Sequence, residues 1–433
     1  MTEPIPTPGR DDTPYDALET RAPAERERAL LAALPAQVAH AQSRSQAFAR
    51  ILAGVDAHAV TSRAVLAGLP VTRKHELLEC QRAVRAAGGD AFGGFAAIGW
   101  GALAREGRLA RRVFQSPGPI YEPEGARADY WRMARALWAA GIRPGDLVHN
   151  SFGYHLTPAG SMMETAAHAI GCAVFPGGVG NTELQLQALA ELHTPAYVGT
   201  PSFLRILLEK ADELGVALPA LVCASVGAEA FPSALRDQFA ARGIHAFQSY
   251  GTADLGLIAY ETAGRDGLVL DEGVIVEIVR PGTGDPVPDG EVGEVVVTTL
   301  NPDYPLIRFG TGDLSAILPG RCPTGRTNAR IRGWLGRADQ TAKVRGMFVH
   351  PAQVAEIARR HPEVRKARLV VSGELADDRM TLRAEVERAP AGLAARIAET
   401  IRDVTKLRGE VELCAPGALA NDGKVVEDLR KVG

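Results

Sequence analysis

Cysteine is sparse in this 433-residue chain: Cys80, Cys172, Cys223, Cys322 and Cys414 are scattered and form no CxxC pair. That excludes a disulfide frame or a zinc knuckle and points to a reducing compartment. Long apolar runs are missing too, since charge or proline breaks each one before the roughly 18 residues a membrane helix needs. The opening stretch "MTEPIPTPGRDDTPYDALETRAPAERERA" is polar and proline-rich, with no apolar core of the signal-peptide kind. Neither sign of charge is in excess: Lys+Arg 48 against Asp+Glu 51 leaves -3, so no nucleic-acid footprint is expected. No internal repeat stands out. What remains is the expectation of a cytoplasmic enzyme of intermediary metabolism with two or three domains.

The periodicity that is present divides the chain. Residues 1–110 read as a helical lead-in, with apolar positions at helical spacing in "AERERALLAALPAQVAHAQSRSQAFARILAG". From "ADYWRMARALWAAGI" to "ALVCASVGAE", helices of ten to fifteen residues alternate with apolar strands, among them "LVHNSFGY", "CAVFPGG" and "PAYVGT". This alternation predicts parallel α/β layers. After about residue 265, "GVIVEIVRP", "GEVGEVVVTTL" and "PLIRFGTGDLSAIL", separated by Pro/Gly/Asp turns, predict a small β-barrel or hairpin sheet. The last segment reads β-α-β-β-α-β, the order of a split βαβ, ferredoxin-like module. The expected division is a large domain over 1–336, a hinge at 337–340 and a mobile domain over 341–433.

Four distant segments share one style, an apolar strand running into a turn of small residues with one acid: "SVGAEAFP", "QSYGTADLGLIAYE", "IRFGTGDL" and "GRADQTAKVRG". Strand ends of this kind are where α/β folds hold ligands. Any one of them is a weak signal, but the ordered series is specific. With "GLPVTRKHELLE" upstream and "ANDGKVVEDLR" near the end, the chain resembles the phenylacetate–CoA ligase-like aryl-CoA ligases of the adenylate-forming superfamily, over essentially its whole length.

The resemblance implies a reaction in two halves. A carboxylate attacks the α-phosphate of ATP with Mg2+ present, and the thiol of coenzyme A then displaces AMP after the small domain rotates. It also implies roles residue by residue. Asp313 would accept both ribose hydroxyls, and Tyr250 would lie against adenine. Gly227, Ala228, Glu229, Ser249 and Gly251 would line the nucleotide pocket, and Arg337 would contact ribose or phosphate. Asp254 would hold Mg2+, and Asp339 would be the hinge. Lys343, Arg345 and Gly346 would meet coenzyme A, and Lys424 would bridge carboxylate and α-phosphate. A slot for a flat aromatic acid is expected from Phe152, Tyr154, Leu156 and Gly160, with His149 or His155 touching a ring substituent. A homodimer is implied by resemblance alone, and no membrane partner is.

Two departures stand out. Where the family has a Ser/Thr/Gly-rich phosphate loop ending in Lys-Pro, this chain has "SPGPIYEP". Pro119 has no N–H, Ile120 has no hydroxyl, and Glu122 adds a negative charge. The amides of Gly118, Ile120 and Tyr121 and the Tyr121 hydroxyl are the donors left to meet an anion. Ala253-Asp254 stands where the family has Thr-Glu, and Gly310 stands where many relatives carry an arginine that Arg308 would have to replace. The chain is read as a working ligase with a remodelled loop. The alternatives are a non-catalytic AMP- or acyl-ligand-binding relative, or adenylation followed by transfer to an amine or a carrier-protein thiol.

Overall fold

The computed structural model describes residues 10–101, 109–280, 283–338, 342–345, 347–349, 351–373, 378–420 and 424–430. They form two compact units that meet in sequence between Gly336 and Arg337.

The large unit is built on a mixed sheet. Among the described residues it has nine strands, in the order Ile317–Leu318, Arg330–Ile331, Leu268–Leu270, Gly256–Glu261, His245–Thr252, Cys223–Val226, Ala196–Gly199, Leu147–Asn150 and Ala173–Phe175. From His245–Thr252 to Ala173–Phe175 neighbouring strands are parallel, whereas His245–Thr252 meets Gly256–Glu261 antiparallel. Ala196–Gly199 and Cys223–Val226 are buried at every residue, as befits strands covered on both faces. Local signals set the helix ends. Thr200 accepts the Phe203 amide ahead of Pro201, and Gly215 closes the same helix at φ 64.

A second sheet runs Thr72–Arg73, Phe309–Ser315, Gly293–Thr299 and Val274–Val279. The lead-in helix Pro23–Arg44 buries Leu30, Leu34, Val38 and Ala41 in the same core cluster as Ile275, Val297 and Phe309. Among the described residues no helix is long and apolar enough to cross a membrane.

The small unit has a four-stranded sheet in the order Glu410–Cys414, Arg379–Val386, Val364–Ser372 and Val426–Asp428. Helices Pro351–Arg359 and Leu393–Thr405 are also part of it, the latter burying Leu393, Ile397 and Ile401.

Two elements are shorter than their periodicity suggests. "ADYWRMARALWAAGI" is helical only over Ala134–Ala139, because Asp129 and Arg132 adopt positive φ ahead of it. "LVHNSFGY" is extended only to Asn150, whose side chain accepts the Phe152 amide at 3.1 Å and turns the chain.

Candidate active site

At the point where the large sheet changes from parallel to antiparallel, Tyr250 and Asp313 come together from 63 residues apart. The Tyr250 hydroxyl donates to Asp313 Oδ2 at 2.9 Å. Trp334 Nε1 donates to Asp313 Oδ1 at 3.1 Å, and Thr311 Oγ1 accepts the Asp313 amide at 3.1 Å. Asp313 is thus a buried carboxylate oriented from two sides. Trp334, three residues before Arg337, is not among the site residues expected from the sequence. Gly227 and Ser249 adjoin at the ends of neighbouring strands, and a Cβ on Gly227 would lie 3.1 Å from Ser249 Oγ. Ala228 turns the chain away at φ 66, with Glu229 next to it, while Gly251 lies so close to the Gly256 carbonyl that a side chain would not fit.

The stretch expected to be a phosphate loop is a hairpin. Arg112–Ser116 pairs antiparallel with Ile120–Glu124, and Gly118–Pro119 is a cis peptide in the connection. The helix Lys74–Ala86 supports it. Gln81 Oε1 accepts the Tyr121 amide at 2.9 Å, Gln81 Nε2 donates to the Tyr121 carbonyl at 2.9 Å, and Arg82 donates to the Gly118 carbonyl at 2.5 Å. Arg85 lies over the Tyr121 ring at 5.0 Å, and Gln115 donates to the Tyr121 hydroxyl at 2.9 Å. The expected set of anion donors is corrected here, because the Tyr121 amide is already spent on Gln81.

Strand alternation turns Glu122 inward, where it is fully buried. Ser116 Oγ hydrogen-bonds to its Oε1. Burial, then the negative charge of nearby Asp254, push the Glu122 carboxyl up to about 8, and Lys74 opposes them. Asp254 is itself buried, with Lys74 Nζ 2.8 Å from its Oδ2. A lone lysine at a helix start carries no signal of this pairing in the sequence.

On the acid side, Phe152 is buried and the Tyr154 hydroxyl accepts from Asn150 Nδ2 at 2.8 Å. Gly160 opens the helix Ala159–Ile170, and a Cβ there would lie 2.9 Å from the Tyr154 ring. Leu156 is 68% exposed at φ 63, and His155 is exposed as well, so neither joins Phe152 in a buried slot. His149 is a core residue. It stacks on Phe175 at 5.0 Å with Nε2 2.8 Å from Gln185 Oε1, and burial lowers its pKa. Arg308 is also withdrawn. It pairs with Glu277 at 3.0 Å and donates to the carbonyls of Ala67, Leu69 and Gly284, so it does not stand in for an arginine at 310. Arg73, the cross-strand partner of Gly310, has its Cγ 3.4 Å from where a Gly310 Cβ would be.

In the small unit, the Arg345 amide donates to Asp378 Oδ2 at 2.9 Å, and Lys424 Nζ lies 3.6 Å from Glu427 Oε1 on an exposed turn. Asp339 and Gly346 lie outside the described residues, as do the side chains of Arg337 and Lys343.

The site thus joins Asp313 of the second sheet to Tyr250 of the large one, and in the same unit the buried Asp254 pairs with Lys74. Residues 153–301 match the family model of the AMP-binding enzymes. The chain is 32% identical over 332 residues to a phenylacetate–coenzyme A ligase of Thermus thermophilus, covering 69% of this chain and 75% of that protein. It is 34% identical over 242 residues to the Escherichia coli K12 phenylacetate–coenzyme A ligase, covering 53% and 54%. A crystal structure of 2-hydroxyisobutyryl-CoA ligase with 2-HIB-AMP and CoA superposes with TM-score 0.80 at 25% identity, covering 96% of this chain and 92% of that one.

The chain belongs to the phenylacetate–CoA ligase family. It is an AMP-forming acid–CoA ligase, which activates a carboxylic acid with ATP and passes it to coenzyme A.

Proposed function

We propose that the acid is aromatic, an aryl or arylacetic acid, taken up beside Phe152, Tyr154 and Gly160, and that the enzyme works as a cytoplasmic homodimer. The printed names of the curated relatives support the acid class, and the Tyr154 ring against Gly160 offers a flat surface for it. The carrying observation is the oriented Asp313 carboxylate beside Tyr250. In this reading it accepts the ribose hydroxyls while Tyr250 lies along adenine, with Gly227, Ala228, Glu229, Ser249 and Gly251 as the surrounding wall and Arg337 near the ribose. Of the hairpin residues, Gly118 and Tyr121 border the phosphates.

Magnesium suits the donors present. Asp254 Oδ1 is buried without a hydrogen-bond partner, and a hard carboxylate oxygen matches a hard cation. Asp254 would hold the ion, which when bound neutralises charge on the phosphates. Lys424 brings a cation to the meeting carboxylate and α-phosphate, and the small unit turns about Asp339 so that Lys343, Arg345 and Gly346 reach coenzyme A.

The test is incubation with ATP, Mg2+, coenzyme A and a panel of benzoic, phenylacetic and hydroxylated aromatic acids, with 2-hydroxyisobutyrate as the branched aliphatic control. Pyrophosphate release and thioester mass are followed. Thioester is expected from an aromatic member. Thioester from the aliphatic acid alone would overturn the aromatic reading.

A further inference from the structure

Glu124 ends the second strand of the hairpin, opposite Arg112, and is 1% exposed. Its two oxygens take three side-chain donors. Arg112 Nη1 donates to Oε1 at 2.8 Å, while Trp131 Nε1 at 2.8 Å and Ser161 Oγ at 2.5 Å donate to Oε2. Arg112 Nη1 also donates to Ser161 Oγ at 2.9 Å, so Arg112, Ser161 and Glu124 close a ring of bonds. Ser161 and Trp131 are buried as well.

Ser161 belongs to the acid side. It follows Gly160 in the helix Ala159–Ile170. At 3.6 residues per turn, neighbouring helical side chains point about 100° apart. Ser161 therefore reaches the hairpin while Gly160 faces the Tyr154 ring. Asn150 Nδ2 donates to the Gly160 carbonyl at 2.9 Å, and the Gly160 amide donates to the Gly153 carbonyl at 3.0 Å. With the bond from Asn150 to Tyr154, these make Tyr154 and Gly160 one wall fixed to the end of a sheet strand. That wall is joined to the hairpin at a second point, where the Gln115 amide donates to the Leu156 carbonyl at 2.8 Å.

A carboxylate is a costly means of joining two elements, since burying its charge has to be offset by the bonds it accepts. Apolar packing would join them without that cost. Charge-assisted hydrogen bonds add a defined length and direction, which packing alone does not. The join is of that kind where alignment counts most, between the wall proposed for the acid and the hairpin proposed to border the phosphates. A displacement of about 1 Å between reacting groups can cost about a hundred-fold in rate.

We propose that Glu124 is a positioning residue, which through Ser161 holds the acid-side wall in register with the hairpin so that the acid's carboxylate meets the α-phosphate. The inference rests on the reading of Tyr154 and Gly160 as the acid wall and of the hairpin as the phosphate border.

The experiment compares Ser161→Ala and Glu124→Gln with the parent, each as the whole protein. Hydrogen exchange at the Gln115 amide, followed without ligand, tests the join independently of any substrate. Exchange is expected to be several-fold faster in both variants, and protection equal to the parent's overturns the proposal. Kinetics then use phenylacetate, or 2-hydroxyisobutyrate should the panel above yield thioester from that acid alone. A failure of the aromatic reading is thus seen in the panel, apart from this comparison. For Ser161→Ala, kcat for pyrophosphate release is expected to fall about ten-fold with a several-fold rise in KM for the acid, and AMP affinity in calorimetry to stay within about two-fold. A kcat within two-fold of the parent overturns the proposal. So does AMP binding weakened by the same factor as the acid's KM, which would make the bond a general support of the fold. If Glu124→Gln does not fold, Ser161→Ala decides alone, because it leaves Glu124 its bonds to Arg112 and Trp131.

Discussion

Asp313 illustrates how little a single residue type says and how much its neighbours add. "TGD" is a common turn, yet here both carboxylate oxygens are held, by Tyr250 and by Trp334. A charge-assisted hydrogen bond is worth about 1.5–3 kcal/mol, so Asp313→Ala should weaken AMP binding by roughly ten- to a hundred-fold in calorimetry. Trp334→Phe removes only an orienting bond. It should raise KM for ATP several-fold with kcat nearly unchanged, and an equal fall in kcat would mean that the indole meets the reacting atoms. Asp129 makes a pH prediction. Burial pushes its carboxyl up to about 7 from the ordinary 3.8, although it accepts the Ala134 amide. A raised folded pKa means that the proton favours the folded chain. The stabilisation is complete below about pH 4 and is lost as pH rises through 7. Asp129→Asn should therefore gain in Tm over the parent between pH 4 and 7, and the gap should level off above that.

At the scale of elements, the hairpin and the helix Lys74–Ala86 act as one piece. Gln81 holds both the amide and the carbonyl of Tyr121. At about 1 kcal/mol per hydrogen bond, Gln81→Ala should lower unfolding stability by about 2 kcal/mol in urea. Replacing "PGPIYE" with a Ser/Thr/Gly-rich loop should lower activity, because buried Ile120 and Glu122 are part of the packing as well as of the connection. Higher activity from the swapped loop would show that the natural hairpin hinders ATP. The hairpin was only partly legible beforehand. Prolines and a glycine announce a turn, but strand pairing across it depends on a helix that lies some 40 residues earlier in sequence.

At the scale of the whole molecule, the role proposed for Lys424 falls to the small unit, whose residues follow Gly336. Removing one preorganised charge from a reacting centre commonly costs about a hundred- to a thousand-fold. Lys424→Ala should lose pyrophosphate release to about that extent, yet still form thioester from supplied acyl-adenylate. Equal loss of both halves, measured separately, would assign the lysine a structural part instead.

The amino-acid order by itself determined the layered α/β class, the change to β after about residue 265, the α+β tail and the family. Those are carried by local periodicity and by motifs whose residues are close in sequence. Only the tertiary structure decided that Tyr121 and Arg308 are engaged elsewhere, that His149 belongs to the core, that Glu122 is buried, and that Lys74 meets the buried Asp254. Such a meeting depends on how strands and helices far apart in the chain pack together, and burial acts on a charge only once its neighbours are in place.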